Sequence, residues 1–382
     1  MKGQLTPETN LWLDETWNRI SRKMELECRR IGSDIPYIPV DGKYTEDWGK
    51  RDITWWTNGF WVGMLWLMYH ATGKEEYKIA ADKVEDRLDE ALLGFVGLYH
   101  DVGFMWLHSS VANYRLTGKE RSRVRGLQAA SVLAGRFNIN GQFIRAWNEE
   151  NGNIRAGWMI IDCLMNIPIL YWASAETRDP RFTQIAMAHA DTALKVIMRG
   201  DGSCNHIAAL DPDTGELESY PPCQGFSPEG SWSRGQAWAL YGFALSYRHT
   251  GEARYLDAAK KSAHYFLANI AETGYVPVSD FRAPLEPVIY DTSAGTIAAC
   301  GLIEIAEAVP EYEKSLYLNG AVRILKAITA RHCNWNPEED SIVSEGCVAY
   351  HSKDQRDVPL IYADYFLIEA ITRLKGSELS LW

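Results

Sequence analysis

One pattern recurs along this chain: an apolar helical stretch, a short punctuation such as Thr-Gly-charged, then a second helix with an aromatic and Ala-rich face. It runs as MYHATGKEEYKIAADKV (68–84), ANYRLTGKERSRVRGLQAA (112–130), ASAETRDPRFTQIAMAHADTAL (173–194) and LSYRHTGEARYLDAAKKSA (245–263). A looser copy, IAEAVPEYEKSLYLNGAVRIL, occupies 305–325. A helical hairpin of this size cannot bury its apolar face alone, so repeated hairpins must pack on one another. Where a Gly follows the last helical turn, it takes the left-handed cap, and the acidic or short polar residue after it helps start the next helix. The short connections make consecutive helices antiparallel neighbours.

Apolar residues spaced i, i+3, i+4, i+7 predict helices near 8–31, 55–71, 75–93, 103–116, 120–137, 159–176, 180–199, 233–249, 252–271, 292–308, 311–332 and 358–375. Second members of the pairs are charged on one face (Lys74 to Glu90, Glu252 to His264) and belong outside. First members (Gly63 to Tyr69, Gly235 to Leu245, Ala294 to Ile305) are apolar or small nearly all round and belong inside. Six inner and six outer helices closing on themselves make an all-α fold, an (α/α)6 barrel. No linker, charge block or low-complexity tract divides the chain, so 1–382 is expected to be a single catalytic domain. An open solenoid is the competing architecture, but it has no need of irregular polar loops before nearly every inner helix. This chain has them: YTEDWGKRDITWW, GLYHDVGFMW, WNEENGNIRAGW, CQGFSPEGSWSRGQAW, SDFRAPLEPVIYDTSAG and SEGCVAYHSKDQRDVP. All precede inner helices and therefore crowd one rim, where a rigid scaffold usually carries its function.

The stretch Ile154 to Ala173, IRAGWMIIDCLMNIPILYWA, is almost continuously apolar and carries one carboxylate, Asp162. An unpaired ionised carboxylate is costly in such a setting, which favours a raised pKa. Capping a helix that begins at Cys163 is the plainer reading, and both are compatible with an acid at a cavity mouth. Asp101, in Tyr99-His100-Asp101-Val102-Gly103-Phe104, is the second candidate acid, with an N-cap role as its alternative. Both open inner helices on the same rim, and two carboxylates facing one cleft suit glycosidic chemistry. In Trp232-Ser233-Arg234-Gly235-Gln236-Ala237-Trp238, Arg234 can fork onto a substrate carboxylate or pair internally with a helix-start Asp. His100, His206 and Gln224 are polar loop residues on this rim.

Composition narrows the partners. The 15 Trp and 19 Tyr, many beside Gly, Asp, Asn or Arg, suit stacking on sugar rings. A net charge of −11 argues against nucleic acid and requires any acidic substrate to be met locally. Seven scattered cysteines without a CxxC pair, and an N-terminus without an apolar leader, point to reduced thiols in a cytoplasm. Apolar runs are broken well short of the roughly 18–20 residues of a membrane span. No GxSxG, HExxH, dinucleotide fingerprint or phosphate loop is present, and the histidines lack metal spacing. Acid–base chemistry by Asp, with no metal or cofactor, remains.

HDVGFMW, IIDCLMNIPILYWA, SWSRGQAWALYGFALSYRHTG and DTSAGTIAACGL, in this order, resemble the unsaturated glucuronyl hydrolases of glycoside hydrolase family 88. The resemblance implies a cytoplasmic enzyme that removes 4,5-unsaturated glucuronic acid from the non-reducing end of lyase-generated oligosaccharides, of glycosaminoglycan or gellan type. It implies hydration of the C4=C5 bond, with Asp162 as general acid/base and Asp101 as its companion. By the same resemblance His100, Trp147, His206, Gln224, Trp232, Arg234 and Trp238 bind substrate, and Trp55 stacks on the sugar. Some relatives that prefer sulfated disaccharides carry a C-terminal Ser-x-x-Ser-x-Lys. Here the tail is Ser377-Glu378-Leu379-Ser380-Leu381-Trp382, so no sulfate preference is implied. The chain is expected to act as a monomer or weak homo-oligomer. An unsaturated rhamnogalacturonyl hydrolase and a non-catalytic sugar-binding barrel are the alternatives.

Overall fold

The computed structural model describes residues 5–150, 152, 154–284 and 286–382. The first four residues of the N-terminal segment, and Asn151, Asn153 and Leu285 of two rim loops, lie outside the described residues. Six helical walls stand inside: Phe60–Thr72, Val102–Trp106 running through a π turn into Ala112–Thr117, Pro168–Thr177, Ser233–Thr250, Thr292–Ala308 and Ile361–Leu374. Six helices cover them: Pro7–Ile31, Glu75–Arg87, Glu120–Ala134, Arg181–Val196, Ala253–Ala271 and Glu311–Arg331. The ring closes where Ile361–Leu374 packs on Thr292–Ala308 on one side and on Phe60–Thr72 on the other. Pro7–Ile31, the first helix of the chain, covers this last inner helix. The fold is the (α/α)6 barrel that the hairpin repeat predicts.

Burial follows the sequence pattern. Every residue from Ser233 to Ser246 and from Thr292 to Ala306 is buried, as small and apolar side chains on all faces require. The outer Ala253–Ala271 helix buries one stripe, Tyr255, Ala258, Ala259, Ser262, Ala263, Phe266 and Ile270, and leaves its charges outward.

The main departure from expectation lies in the helix predicted over 159–176. Its first half is a strand, Trp158–Ile160, followed by a 3₁₀ turn, Ile161–Met165; the α-helix begins at Pro168. The strand pairs antiparallel with Ile207–Leu210, which pairs in turn with Leu217–Ser219. A continuous apolar run does not distinguish a buried strand from a buried helix, and here β-branched residues and Gly157 tip the balance. A Cβ on Gly157 would stand 1.6 Å from the Leu210 carbonyl oxygen, so only glycine admits this pairing. Pro168 sits at the start of its helix, where its missing N–H costs nothing.

The C-terminal tail lies away from the loop-bearing rim. Trp382 is 1% exposed and packs against His108 (ring centroids 4.3 Å) and Phe366 (5.8 Å) in the barrel interior. Residues 376–380 and Trp382 line a cavity with Arg115, Arg248 and Arg373, at the ends of inner helices opposite to the loop-bearing rim. The tail therefore has no bearing on how that rim treats sulfate.

Candidate active site

A cavity of about 630 Å³ opens among the loops that precede the inner helices. Its wall combines carboxylates (Asp52, Asp101, Glu149, Glu150, Asp162), aromatic rings (Tyr37, Trp55, Trp56, Tyr99, Trp147, Trp232, Trp238) and two cations, Arg155 and Arg234. This volume and mixture suit a short oligosaccharide.

Asp162 is delivered by the strand–3₁₀ junction. Its side chain does not cap that turn, whose N-cap is Ile160, so the capping reading does not apply. The carboxyl is 19% exposed, and Oδ1 has no hydrogen-bond partner among the described residues. Burial pushes its pKa up to about 7, against the opposing pull of the Arg234 charge. No cation locks it.

Asp101 occupies the N-cap position of Val102–Trp106 but makes no side-chain cap. It is 7% exposed and accepts a 2.9 Å hydrogen bond from Asn166 Nδ2. Burial, reinforced by the negative charge of Asp162, raises its pKa to about 8, while the Asn166 bond opposes the rise. The two carboxyls feel one another and lose their protons as a pair. Asn166 Oδ1 in turn accepts from Phe104 N at 2.8 Å, so one amide ties the two acid-bearing segments together. A Cβ on Gly103 would lie 2.4 Å from Asn166, which is why glycine stands there. Asn166→Ala is expected to shift the high-pH limb of activity upward, because the bond it removes lowers the Asp101 pKa. An unshifted pH–rate profile would show that this amide does not tune the acid.

The two rim histidines sit behind the acids rather than on the cavity wall. His100 is buried, with Nε2 3.4 Å from Asp101 Oδ2, and burial keeps its pKa well below the ordinary value. His206 is likewise held neutral, its pKa lowered to about 3 by burial and then by Arg234. Its Nδ1 accepts from the Gln224 backbone N–H at 3.4 Å. That assignment places the ring proton on Nε2, 4.0 Å from Asp162 Oδ1.

Gln224 lines the cavity and is fixed by a 2.9 Å bond from Nε2 to the Val348 carbonyl. Trp232 packs at a tilt on His206, ring centroids 4.2 Å apart, and lies under the Arg234 guanidinium at 4.6 Å. Trp238, almost wholly buried, meets the cavity at one edge and packs on Phe104 at 5.2 Å. Trp55 leans on Trp48 (5.2 Å) and Tyr37 (5.7 Å); Trp147 leans on Trp158 (6.2 Å).

Arg234 resolves toward the internal pair. It is 1% exposed, and Nη1 donates to Asp291 Oδ2 at 2.5 Å and to the Cys347 carbonyl at 2.6 Å. Nη2 donates to the Val348 carbonyl at 2.7 Å. The guanidinium thus holds the rim loops together while one edge faces the cavity. Arg234→Ala would leave the fully buried Asp291 unpaired and is expected to destabilise the fold by about 3–5 kcal/mol, read by chemical denaturation. Unchanged stability with only weakened substrate binding would contradict this assignment.

Asn166, Asp52, Tyr99, Arg155 and Cys223 were not singled out from sequence. Asn166 carried the one legible signal, a lone amide four residues after Asp162 in an apolar run. Among the described residues no group of three or more His, Cys, Asp or Glu could hold a metal ion.

Comparisons with known proteins show the family. A family model described as Glycosyl Hydrolase Family 88 matches residues 37–274. The chain is 36% identical to the unsaturated glucuronyl hydrolase of Bacillus sp. (strain GL1), covering 93% of this chain and 94% of that protein. The crystal structure of an unsaturated glucuronyl hydrolase from Bacillus sp. GL1, described as responsible for degradation of glycosaminoglycan, matches with a TM-score of 0.89 at 34% identity. That match covers 95% of this chain and 97% of the other. A mutant of the Streptococcus agalactiae unsaturated glucuronyl hydrolase, complexed with dGlcA-GalNAc6S, matches with a TM-score of 0.82 at 27% identity, over 97% and 93% of the two chains.

Proposed function

Because the chain belongs to glycosyl hydrolase family 88, we propose that its cavity binds lyase-generated oligosaccharides and releases the 4,5-unsaturated glucuronic acid at their non-reducing end. The observation that carries the reading is the pair of sheltered acids, Asp162 and Asp101, opening into one aromatic-walled cavity. Glycosaminoglycan- or gellan-derived disaccharides are the substrate class.

The chemistry needs a proton before it needs a base. The unsaturated sugar is a vinyl ether, so protonation at C4 leaves positive charge shared between C5 and the ring oxygen. Asp162, with a pKa near 7, still holds a proton at neutral pH and serves as the donor. Water adds at C5 and gives a proton back to Asp162, left as a carboxylate by its donation, or to Asp101 where that group is ionised. The C5 hemiketal opens by breaking its bond to the ring oxygen, which turns C1 into a hemiacetal. That hemiacetal expels the neighbouring sugar as an alcohol. Attack at the anomeric carbon is absent, so the spacing of the carboxylates does not report retention or inversion. His206, held neutral beside Asp162, does not compete for its proton.

Within this reading the whole chain acts as one catalytic domain and as a monomer or weak homo-oligomer. Seven free cysteines fit a reducing cytoplasm, and no helix among the described residues is long and apolar enough to cross a membrane. Incubation with unsaturated disaccharides tests the reading. Loss of the double-bond ultraviolet absorbance together with release of the second sugar supports it. Unchanged absorbance with no release of the second sugar, across glycosaminoglycan and gellan disaccharides, contradicts it.

A further inference from the structure

We propose that Arg155 reads an anionic substituent, a sulfate ester or a carboxylate, on the sugar that follows the unsaturated uronic acid. The inference rests on the reading of the cavity as a site for unsaturated uronyl oligosaccharides. Two cations line that cavity, and they are differently committed. Arg234 spends Nη1 on Asp291 and the Cys347 carbonyl and donates from Nη2 to the Val348 carbonyl. Arg155 has donors to spare. Its Nε is buried and has no hydrogen-bond partner among the described residues. Its ion pair, Nη1 to Glu150 Oε2 at 3.2 Å, joins it to a side chain that is 64% exposed, a contact water readily replaces.

The guanidinium is also held in place. It lies over Trp147 at 5.2 Å and over Trp158 at 5.4 Å, two rings that fix its plane before a ligand arrives. A planar fork on aromatic supports is the arrangement that binds sulfate or carboxylate oxygens in pairs. The surroundings make a cation necessary. Asp52, Glu149 and Glu150 stand on the same wall, and the chain carries a net charge of −11, so an anionic substituent would otherwise meet repulsion.

Position selects the second sugar. Arg155 precedes the strand Trp158–Ile160 that leads to Asp162, seven positions before the acid along the chain. Cys223 lines the same cavity, close enough to both groups for its thiol to feel the Asp162 and the Arg155 charge. The carboxylate on C5 of the reacting sugar sits one bond from the hydrated carbon and belongs beside Asp162. A substituent on the next ring falls where Arg155 waits. The C-terminal tail, at the other end of the barrel, supplies no cation here.

The test compares kcat and KM of the wild type, Arg155→Ala, Arg155→Gln and Arg155→Lys on two probes, dGlcA-GalNAc and its 6-sulfated form. The ratio of kcat/KM for sulfated over unsulfated probe is expected to fall about tenfold in the Ala and Gln variants, through KM, and to recover in part with Lys. An unchanged ratio overturns the assignment. If both probes then lose kcat/KM together, Arg155 meets the uronate carboxylate instead; if neither does, it meets no anion. A wild type inactive on both probes overturns the functional reading and this assignment with it, whereas an active wild type with an unchanged ratio overturns this assignment alone.

Discussion

Asp162→Asn is expected to lower kcat/KM by about 10³-fold or more, because it removes the acid assigned to deliver the proton to C4. Asn keeps the shape and the hydrogen-bonding capacity of the side chain but has no acidic proton. The assay follows loss of the double-bond absorbance, and turnover within tenfold of wild type would show that another group is the donor. The same variant should be more stable than wild type in alkaline buffer. An Asp whose carboxyl titrates near 3.8 when unfolded and near 7 when folded contributes its full stability below about pH 4. That contribution is lost as pH rises through 7, by at most about 4 kcal/mol for a shift of this size. Asp162→Asn should therefore melt higher than wild type at pH 8 and no differently at pH 4. This trade of stability for activity is common where a site holds a group in an unfavourable setting.

Asp101→Asn carries the second large effect, an expected loss of about 10²-fold or more in kcat. Its signature differs from that of Asp162→Asn. In the wild type the pair sheds protons near pH 7 and 8, Asp101 being held higher partly by the charge that Asp162 has already acquired. Activity should fall across that range as the donor is lost. Removing Asp101 leaves one ionisation, that of Asp162, so the residual activity of Asp101→Asn should decline in a single step. In Asp162→Asn, conversely, the Asp101 carboxyl should titrate below 8, since one of the two causes of its elevation has gone. A wild-type rate and profile in Asp101→Asn would remove it from the mechanism.

How far the sequence alone reaches depends on whether a signal is local. The inner and outer helices were legible because their periodicity and composition report burial directly: Ser233 to Ser246 is buried on all sides, Ala253–Ala271 on one. Asp162 was legible because a lone carboxylate interrupts an apolar run. What joined the site was not. The Asp291 partner of Arg234 lies 57 positions further along, and Asn166 reaches Asp101 across 65. Such contacts are set by tertiary packing and leave no spacing to read. The strand at Trp158–Ile160 was missed because apolar runs are ambiguous between strand and helix, and its partner, Ile207–Leu210, lies beyond any local window. The place of the tail was not legible for a similar reason: Trp382 completes the packing of the far end, beside His108 and Phe366, which no local pattern announces.

The most direct measurement of the central claim is a titration of the Asp162 carboxyl itself, by carbon-13 NMR of protein labelled at aspartate side chains, with Asp162→Asn used to identify the resonance. The account predicts a carboxyl that keeps its proton to about pH 7. A resonance that titrates near pH 4, like an ordinary aspartate, would leave Asp162 without a proton to start the reaction and would contradict the account.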